Sequence, residues 1–278
     1  MRNTQRLILL ALVSAGAACS SDSNDVTDAG SSSAAAVSLS TANNLGAHLV
    51  DKDGKTLYFY VKDIAASGVS ACTGTCLTTW PAADLKSPTV VGDGLTASDF
   101  GTTTAGGQTT WKGRPLYTYS MEASATSATG EAKGGIWFVA RPYNLFLAAN
   151  GTKAPQGATA TDAPFITNGA GLSLYIFKND TRGTASTAPV NSCTSNTACS
   201  SKWPIWEKPA ALDLTKIVLP STIPATDVTT ITVGAQVQFV YKGWPTYFFA
   251  TDTKAGDIAG ANVSLWYAVN PAFTGTLP

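Results

Sequence analysis

The chain has 278 residues, enough for one large domain or two of about 110 residues each, and its 18 basic residues are balanced by 18 acidic ones. Charge this sparse and even excludes the electrostatic footprint of a nucleic-acid-binding surface or a polybasic membrane contact. Only three residues are Glu, whereas Thr, Ser, Ala and Gly abound, so the composition points to strands and turns and to an all-β fold.

Residues 1–18 read as a lipoprotein signal peptide. Arg2 and Arg6 supply a basic start, Leu7 to Val13 an apolar run too short to span a bilayer, and Ser14 to Ala18 a small-residue approach to Cys19. Gly16-Ala17-Ala18-Cys19 resembles the bacterial lipobox, whose thiol receives diacylglycerol and becomes the first residue. Cleavage at an Ala-x-Ala-like site is the alternative and would leave Cys19 free. Two pairs among the five cysteines leave Cys19 over, which favours lipidation. A lipid would attach the chain to a membrane without spanning it. No later run approaches the roughly 20 apolar residues of a membrane helix. Ser20 and Ser21 lack the acidic residue that retains enteric lipoproteins at the inner membrane, so the expected place is the bacterial cell envelope at the outer membrane. Residues 19–43, rich in Ser, Ala and Asp, read as a flexible tether.

Beyond the tether one unit recurs: Gly-x-x-(Leu/Thr)-Tyr-x-(aromatic)-x-x-(acid), at Gly54 to Asp63, Gly113 to Glu122, Gly171 to Asp180 and Gly243 to Asp252. Tyr and the second aromatic lie two positions apart and so share one face of a strand. The leading glycine marks a turn, and each copy reads as a turn plus returning strand. A tryptophan follows each copy, at Trp80, Trp137, Trp203 and Trp266. Copies one and three are followed by a cysteine pair and Trp-Pro; copies two and four carry proline in the turn. The larger repeat is therefore a doublet. In chain order, 44–150 is the first β domain, with hairpins 47–50/55–61 and 108–112/115–119 and a last strand at 135–140. Residues 144–163 are the join, and 151–278 the second domain, with pairings 165–167/173–177 and 237–241/246–249 and a closing strand at 264–269. The expected fold is two homologous hairpin-rich β domains in tandem.

This order resembles the bacterial predicted lipoproteins named for a Yx(FWY)xxD motif, also described as a secreted repeat of unknown function. The resemblance rests on Tyr58 to Asp63 and Tyr175 to Asp180, on the cysteine pairs before Trp80-Pro81 and Trp203-Pro204, and on the turns Lys112-Gly113-Arg114-Pro115 and Lys242-Gly243-Trp244-Pro245. Copy two departs from the pattern with Glu122 in the acid position, and the second cysteine pair is spaced x5 where the first is x3. The resemblance implies an exported repeat protein and carries no assigned activity.

Four cysteines in an exported chain should form disulfides, and Cys72–Cys76 with Cys193–Cys199 is the most economical of three connectivities. Their expected work is to pin the loop that presents Trp-Pro. The rival reading is a redox-active or metal-binding pair, against which neither spacing is Cys-x-x-Cys. His48 is the only histidine, in an apolar strand. No nucleophile elbow, phosphate loop or His-x-x-x-His pair occurs, so no catalytic residue, metal ligand set or cofactor is assigned.

Asp63, Glu122, Asp180 and Asp252 could converge on a hard cation or form an acid pair of the glycosidase kind; the plainer role is to end each strand by binding backbone N–H groups. Most motif aromatics should fill the domain cores. Trp111 and Trp244, at hairpin ends, and Trp206 are the candidates for an exposed contact surface. Together these readings favour a non-catalytic binding or scaffolding protein with an envelope protein or glycan as partner, no nucleic acid, and the membrane touched through the lipid alone. The alternative is a thiol-disulfide or electron-transfer protein; a carbohydrate-active enzyme would need a close acid pair.

Overall fold

A computed structural model describes residues 35–86, 90–125, 127–149, 151, 153–155 and 158–277. The signal peptide, Cys19 and most of the expected tether lie outside them. Among the described residues, fourteen short strands fall into two matching sets of seven. The first comprises β1 (Val37–Ser40), β2 (His48–Asp51), β3 (Tyr58–Tyr60), β4 (Phe100–Thr102), β5 (Thr109–Trp111), β6 (Arg114–Pro115) and β7 (Trp137–Val139). The second comprises β8 (Leu145–Ala148), β9 (Phe165–Asn168), β10 (Tyr175–Phe177), β11 (Val228–Val233), β12 (Gln236–Tyr241), β13 (Trp244–Pro245) and β14 (Trp266–Ala268). Each set makes the same antiparallel sheets: β1-β2, β3-β7 and β4-β5-β6 in the first, β8-β9, β10-β14 and β11-β12-β13 in the second. The fold is all-β and duplicated.

The duplicated unit starts earlier than the sequence suggests. Val37–Ser40, assigned to the tether, is a strand paired with β2, and Val37 is buried. Leu145–Ala148, assigned to the join, is wholly buried and holds against β9 the place that β1 holds against β2. Both belong to the repeats because each pairs along the edge of the inner hairpin of its unit and buries apolar side chains there, Val37 in the first and Leu145 to Ala148 in the second.

Local chemistry explains the hairpins. Lys112 and Gly113 have φ of 50° and 74°, Lys242 and Gly243 of 49° and 85°, the left-handed pair that a two-residue hairpin turn needs. The returning strands are buried on both faces. Tyr58 and Tyr60 point to an aromatic cluster of their own repeat, while Phe59 points to a core that both repeats build. That shared core joins Leu49, Phe59, Trp111 and Phe138 to Phe146, Ile166, Trp206 and Phe239. Phe146 of β8 meets Phe59 at 5.8 Å and Phe138 at 6.0 Å, both edge-on. The two repeats therefore pack as one unit, Ala34–Pro278. No helix among the described residues is long and apolar enough to cross a membrane.

Candidate functional site

Within each repeat the two motif copies face one another at their tyrosines. Tyr58 N–H donates to Tyr117 O at 2.8 Å and Tyr117 N–H to Tyr58 O at 3.1 Å; Tyr175 and Tyr247 exchange the same bonds at 2.9 Å. An antiparallel pair of this kind has a local two-fold axis. Each chain runs five residues beyond its tyrosine, which brings the acid of one copy to the phenol of the other. Tyr117 Oη donates to Asp63 Oδ2 at 2.6 Å, and Tyr58 Oη to Glu122 Oε1. Tyr247 Oη donates to Asp180 Oδ2 at 2.7 Å, and Tyr175 Oη to Asp252 Oδ2. The acids also accept from loop backbones: Asp63 from Ala71 N–H at 2.6 Å, Asp180 from Ser192 N–H at 2.8 Å, and Asp252 from Ala259 N–H at 2.9 Å. Burial pushes Asp63 up to about 6 against the pull of these donors, and shifts Glu122, Asp180 and Asp252 in the same direction. Burial, reinforced by the facing carboxylates, pushes the four phenols up as well, so tyrosine keeps its proton and donates it. The acids are thus consumed pairwise by tyrosines. Among the described residues no group of three or more His, Cys, Asp or Glu could hold a metal ion, and the four acids are engaged in separate tyrosine pairs.

The tryptophans after the copies form a stack in each repeat. Tyr119, Trp80, Trp137 and Tyr60 lie face to face, with centroids 4.4, 3.9 and 4.2 Å apart. Phe249, Trp203, Trp266 and Phe177 repeat the arrangement at 4.3, 3.7 and 4.4 Å. Cys72–Cys76 and Cys193–Cys199 are bonded, with Cα atoms 5.4 and 5.3 Å apart, the pairing that the sequence favours. Each pair leads into a short helix, α1 (Cys76–Thr79) or α2 (Thr197–Lys202). The helix ends on the stacked ring, with Trp80 N–H on Cys76 O at 2.8 Å and Trp203 N–H on Cys199 O at 2.9 Å.

Trp111, Trp206 and Trp244 form no exposed surface. They are 2, 6 and 8% exposed, and all three belong to the shared core. Another loop covers each hairpin end: Ala66 N–H donates to Gly113 O and Gly183 N–H to Gly243 O, both at 2.8 Å. Trp244 Nε1 donates to Gly275 O at 2.8 Å, and Trp206 stacks on Phe239 at 3.8 Å. His48 is buried, with Nδ1 donating to Gly46 O at 2.9 Å.

Where the repeats meet, a cleft of about 830 Å³ opens. The first repeat contributes Phe59, Ile64–Ser67, Lys112 and Arg114; the connection from β7 to β8 contributes Arg141–Tyr143; the second repeat contributes Phe146, Gly169, Ala170 and Thr253–Ala255. Its lining holds four cations, Lys112, Arg114, Arg141 and Lys254, and no acid. Arg114 is only 5% exposed; its Nη1 donates to the backbone oxygen of Asp63 at 3.2 Å, and its Cζ stands 4.7 Å from the Phe146 ring centre. Burial pulls Arg114 down to about 10, partly offset by Asp63, so it stays charged at neutral pH. Arg141 Cζ stands 5.9 Å from the Tyr143 ring, and its buried Nε has no partner among the described residues. Lys112 pairs with Asp99 at 3.2 Å. Sequence reasoning passed over these residues. The available signal was the contrast between Arg114 and Trp244 in otherwise matching turns.

Fold and site together define a duplicated all-β protein with a cationic cleft where its halves meet. Two stretches, residues 40–84 and 230–270, match the model of a family described as a secreted repeat of unknown function. The first stretch carries β2, β3 and the first cysteine loop, and the second carries most of β11 through β14, so they fall on opposite halves of the duplicated unit. These matches support an exported protein whose activity the family description leaves open. No curated protein and no solved structure matches the chain.

Proposed function

We propose that this is a lipid-anchored protein of the bacterial cell envelope, held at the outer membrane through Cys19, which binds a ligand or scaffolds a partner without transforming it. The observation that carries the reading is the cleft between the repeats: a concave, partly aromatic site of small-molecule size lined by four cations and no acid. The motif tyrosines and acids, by contrast, are spent on one another. Hydrogen exchange on the full-length protein in detergent, with and without a soluble cell-envelope fraction, tests the binding role. Protection gained at residues 64–67, 141–143 and 253–255 supports it, and an unchanged exchange map refutes it. Detergent-phase partitioning of the wild type against Cys19→Ser tests the anchor; the variant should move to the aqueous phase.

A redox role is the second reading, favoured by the packing of Cys72 and Cys193 in the same clusters as the ring stacks. Thiol trapping across a redox buffer series separates the two readings. Potentials below about −300 mV for both pairs mark structural bonds, and reversible titration near about −200 mV marks redox function.

A further inference from the structure

The geometry points to a small organic anion as the occupant of the inter-repeat cleft, its carboxylate or phosphate oxygens held by Arg114 and Arg141 and its apolar body lying against Phe59 and Ile64. This inference rests on the binding reading above and specifies its ligand.

The two guanidinium groups share one platform. Arg114 stands over Phe146 and Arg141 over Tyr143, and those rings stack on each other with centroids 4.8 Å apart and planes 25° apart. Aromatic faces attract cations but do not neutralise them. Neither arginine forms an ion pair with a carboxylate among the described residues, and one buried side-chain nitrogen, Arg141 Nε, has no partner. Two neighbouring cations, one of them nine-tenths buried, are costly unless a counter-charge joins them. A guanidinium fork presents parallel N–H donors at the spacing of carboxylate or phosphate oxygens. Lys254, exposed at the rim, and Lys112 extend the positive lining, which suits a ligand with two or more negative charges. Phe59, Ile64 and Phe146 also line the cleft, and Ile64, the least buried of them, offers apolar surface to its carbon skeleton.

The fold itself does not require a cation here. The corresponding residue of the second repeat is Trp244, in the same register of the same hairpin, and the chain near Gly275 closes over it. The first repeat has a charged residue at this place where the second has Trp244, and a cleft opens in front of Arg114.

Isothermal titration of the full-length protein in detergent at low ionic strength tests the inference, with benzene-1,3,5-tricarboxylate, inorganic pyrophosphate and the neutral benzene-1,3,5-trimethanol as probes. The tricarboxylate should bind one to one, at least tenfold tighter than either of the others, and should weaken tenfold or more in Arg114→Gln and in Arg141→Gln. Arg114 is buried and its variant could misfold, so Arg141→Gln and Lys254→Gln, at less buried positions, carry the test independently. Affinity unchanged in both of these variants overturns the inference, as does pyrophosphate binding as tightly as the tricarboxylate, or a wild type that binds no anion below the millimolar range. If envelope material protects the cleft from exchange while the anions fail, the ligand class is wrong and the binding reading stands; if neither acts there, both fall.

Discussion

In the first repeat the residue after the Lys112-Gly113 turn is Arg114, and in the second the residue after the Lys242-Gly243 turn is Trp244. Both are buried, both lie one residue before the proline, and each pairs across its hairpin with an aromatic residue, Trp111 or Tyr241. Their surroundings differ. Trp244 is closed in by the C-terminal chain through its bond to Gly275 O, whereas Arg114 reaches a cleft and donates to the backbone oxygen of Asp63. Duplication has kept the framework of tyrosine–acid pairs, ring stacks and disulfides, and has let the side chain delivered by one turn diverge. Features present in both halves are therefore read as architecture, and features present in one half as candidates for function.

Replacing these two residues should break this comparison most severely. Trp244→Arg removes a core ring and buries a cation with no carboxylate beside it, and should cost about 3–5 kcal/mol in chemical denaturation. Arg114→Met keeps volume and removes the buried charge, so its stability should stay within about 1 kcal/mol of wild type, or rise, while response to anions is lost. Equal losses from the two substitutions would show that Arg114 is as structural as Trp244.

A shared feature should respond equally in both halves. An added Cβ at Gly130 would come within 2.8 Å of the Trp80 and Tyr58 rings, and one at Gly260 within 2.8 Å of Trp203 and Tyr175. Trp80 and Trp203 are held in their stacks, and Tyr58 and Tyr175 by their bonds to Glu122 and Asp252, so none yields cheaply. Gly130→Ala and Gly260→Ala should each lower stability by about 1–3 kcal/mol through overpacking, with similar shifts in thermal midpoint. A large effect in one repeat alone would mean that the two stacks are not equivalent.

What the sequence disclosed follows the range of the interactions. The hairpins around Gly113 and Gly243 were legible because turn chemistry is local, and the disulfides because close cysteines in an exported chain leave few choices. β1 and β8 were hidden: Val37–Ser40 sits beside a Ser- and Ala-rich run, and Leu145–Ala148, buried throughout, shows no alternation to detect. The spacing of Tyr58 from Asp63 was visible, but not that each acid serves the tyrosine of the sister copy. That depends on a pairing between Tyr58 and Tyr117, 59 positions apart. Trp111, Trp206 and Trp244 were misplaced because a hairpin end is exposed only when no other loop covers it, which turn chemistry does not encode. The contrast of Arg114 with Trp244 was visible in the turns, but not the meeting of Arg114 with Arg141, which depends on packing between β6 and the connection from β7 to β8.

Removing one phenolic hydroxyl tests the reciprocal pairs. Tyr117→Phe leaves Asp63, and Tyr247→Phe leaves Asp180, short of a donor in a buried place, for about 1–3 kcal/mol each. Asp180 keeps two bonds from Ser192, at 2.8 Å each, while Asp63 keeps one, from Ala71. The first repeat should therefore suffer the larger loss, measurable by urea denaturation at neutral pH.

A dependence on pH, spread over a wide window, also differs between the halves. Burial holds the Asp63 carboxyl at about 6 in the folded chain, whereas an unfolded aspartate loses its proton near pH 4. Between those values the folded state binds more protons than the unfolded one, so its stability must fall as pH rises through the window and level off above it. For Asp63 a gap of about two pH units bounds the drop at about 3 kcal/mol, and Asp180, raised for the same reason, adds to it in the same direction. Asp63→Asn should flatten the slope between pH 4 and 6.5 more than Asp180→Asn does. Because Arg114 draws the Asp63 carboxyl downward, Arg114→Met should steepen that slope and shift it upward in pH. Denaturation midpoints that rise with pH in the wild type, by more than they rise in Asp63→Asn, would show that the tyrosine and backbone donors outweigh burial at this carboxylate, and that Asp63 is held ionised beside Arg114.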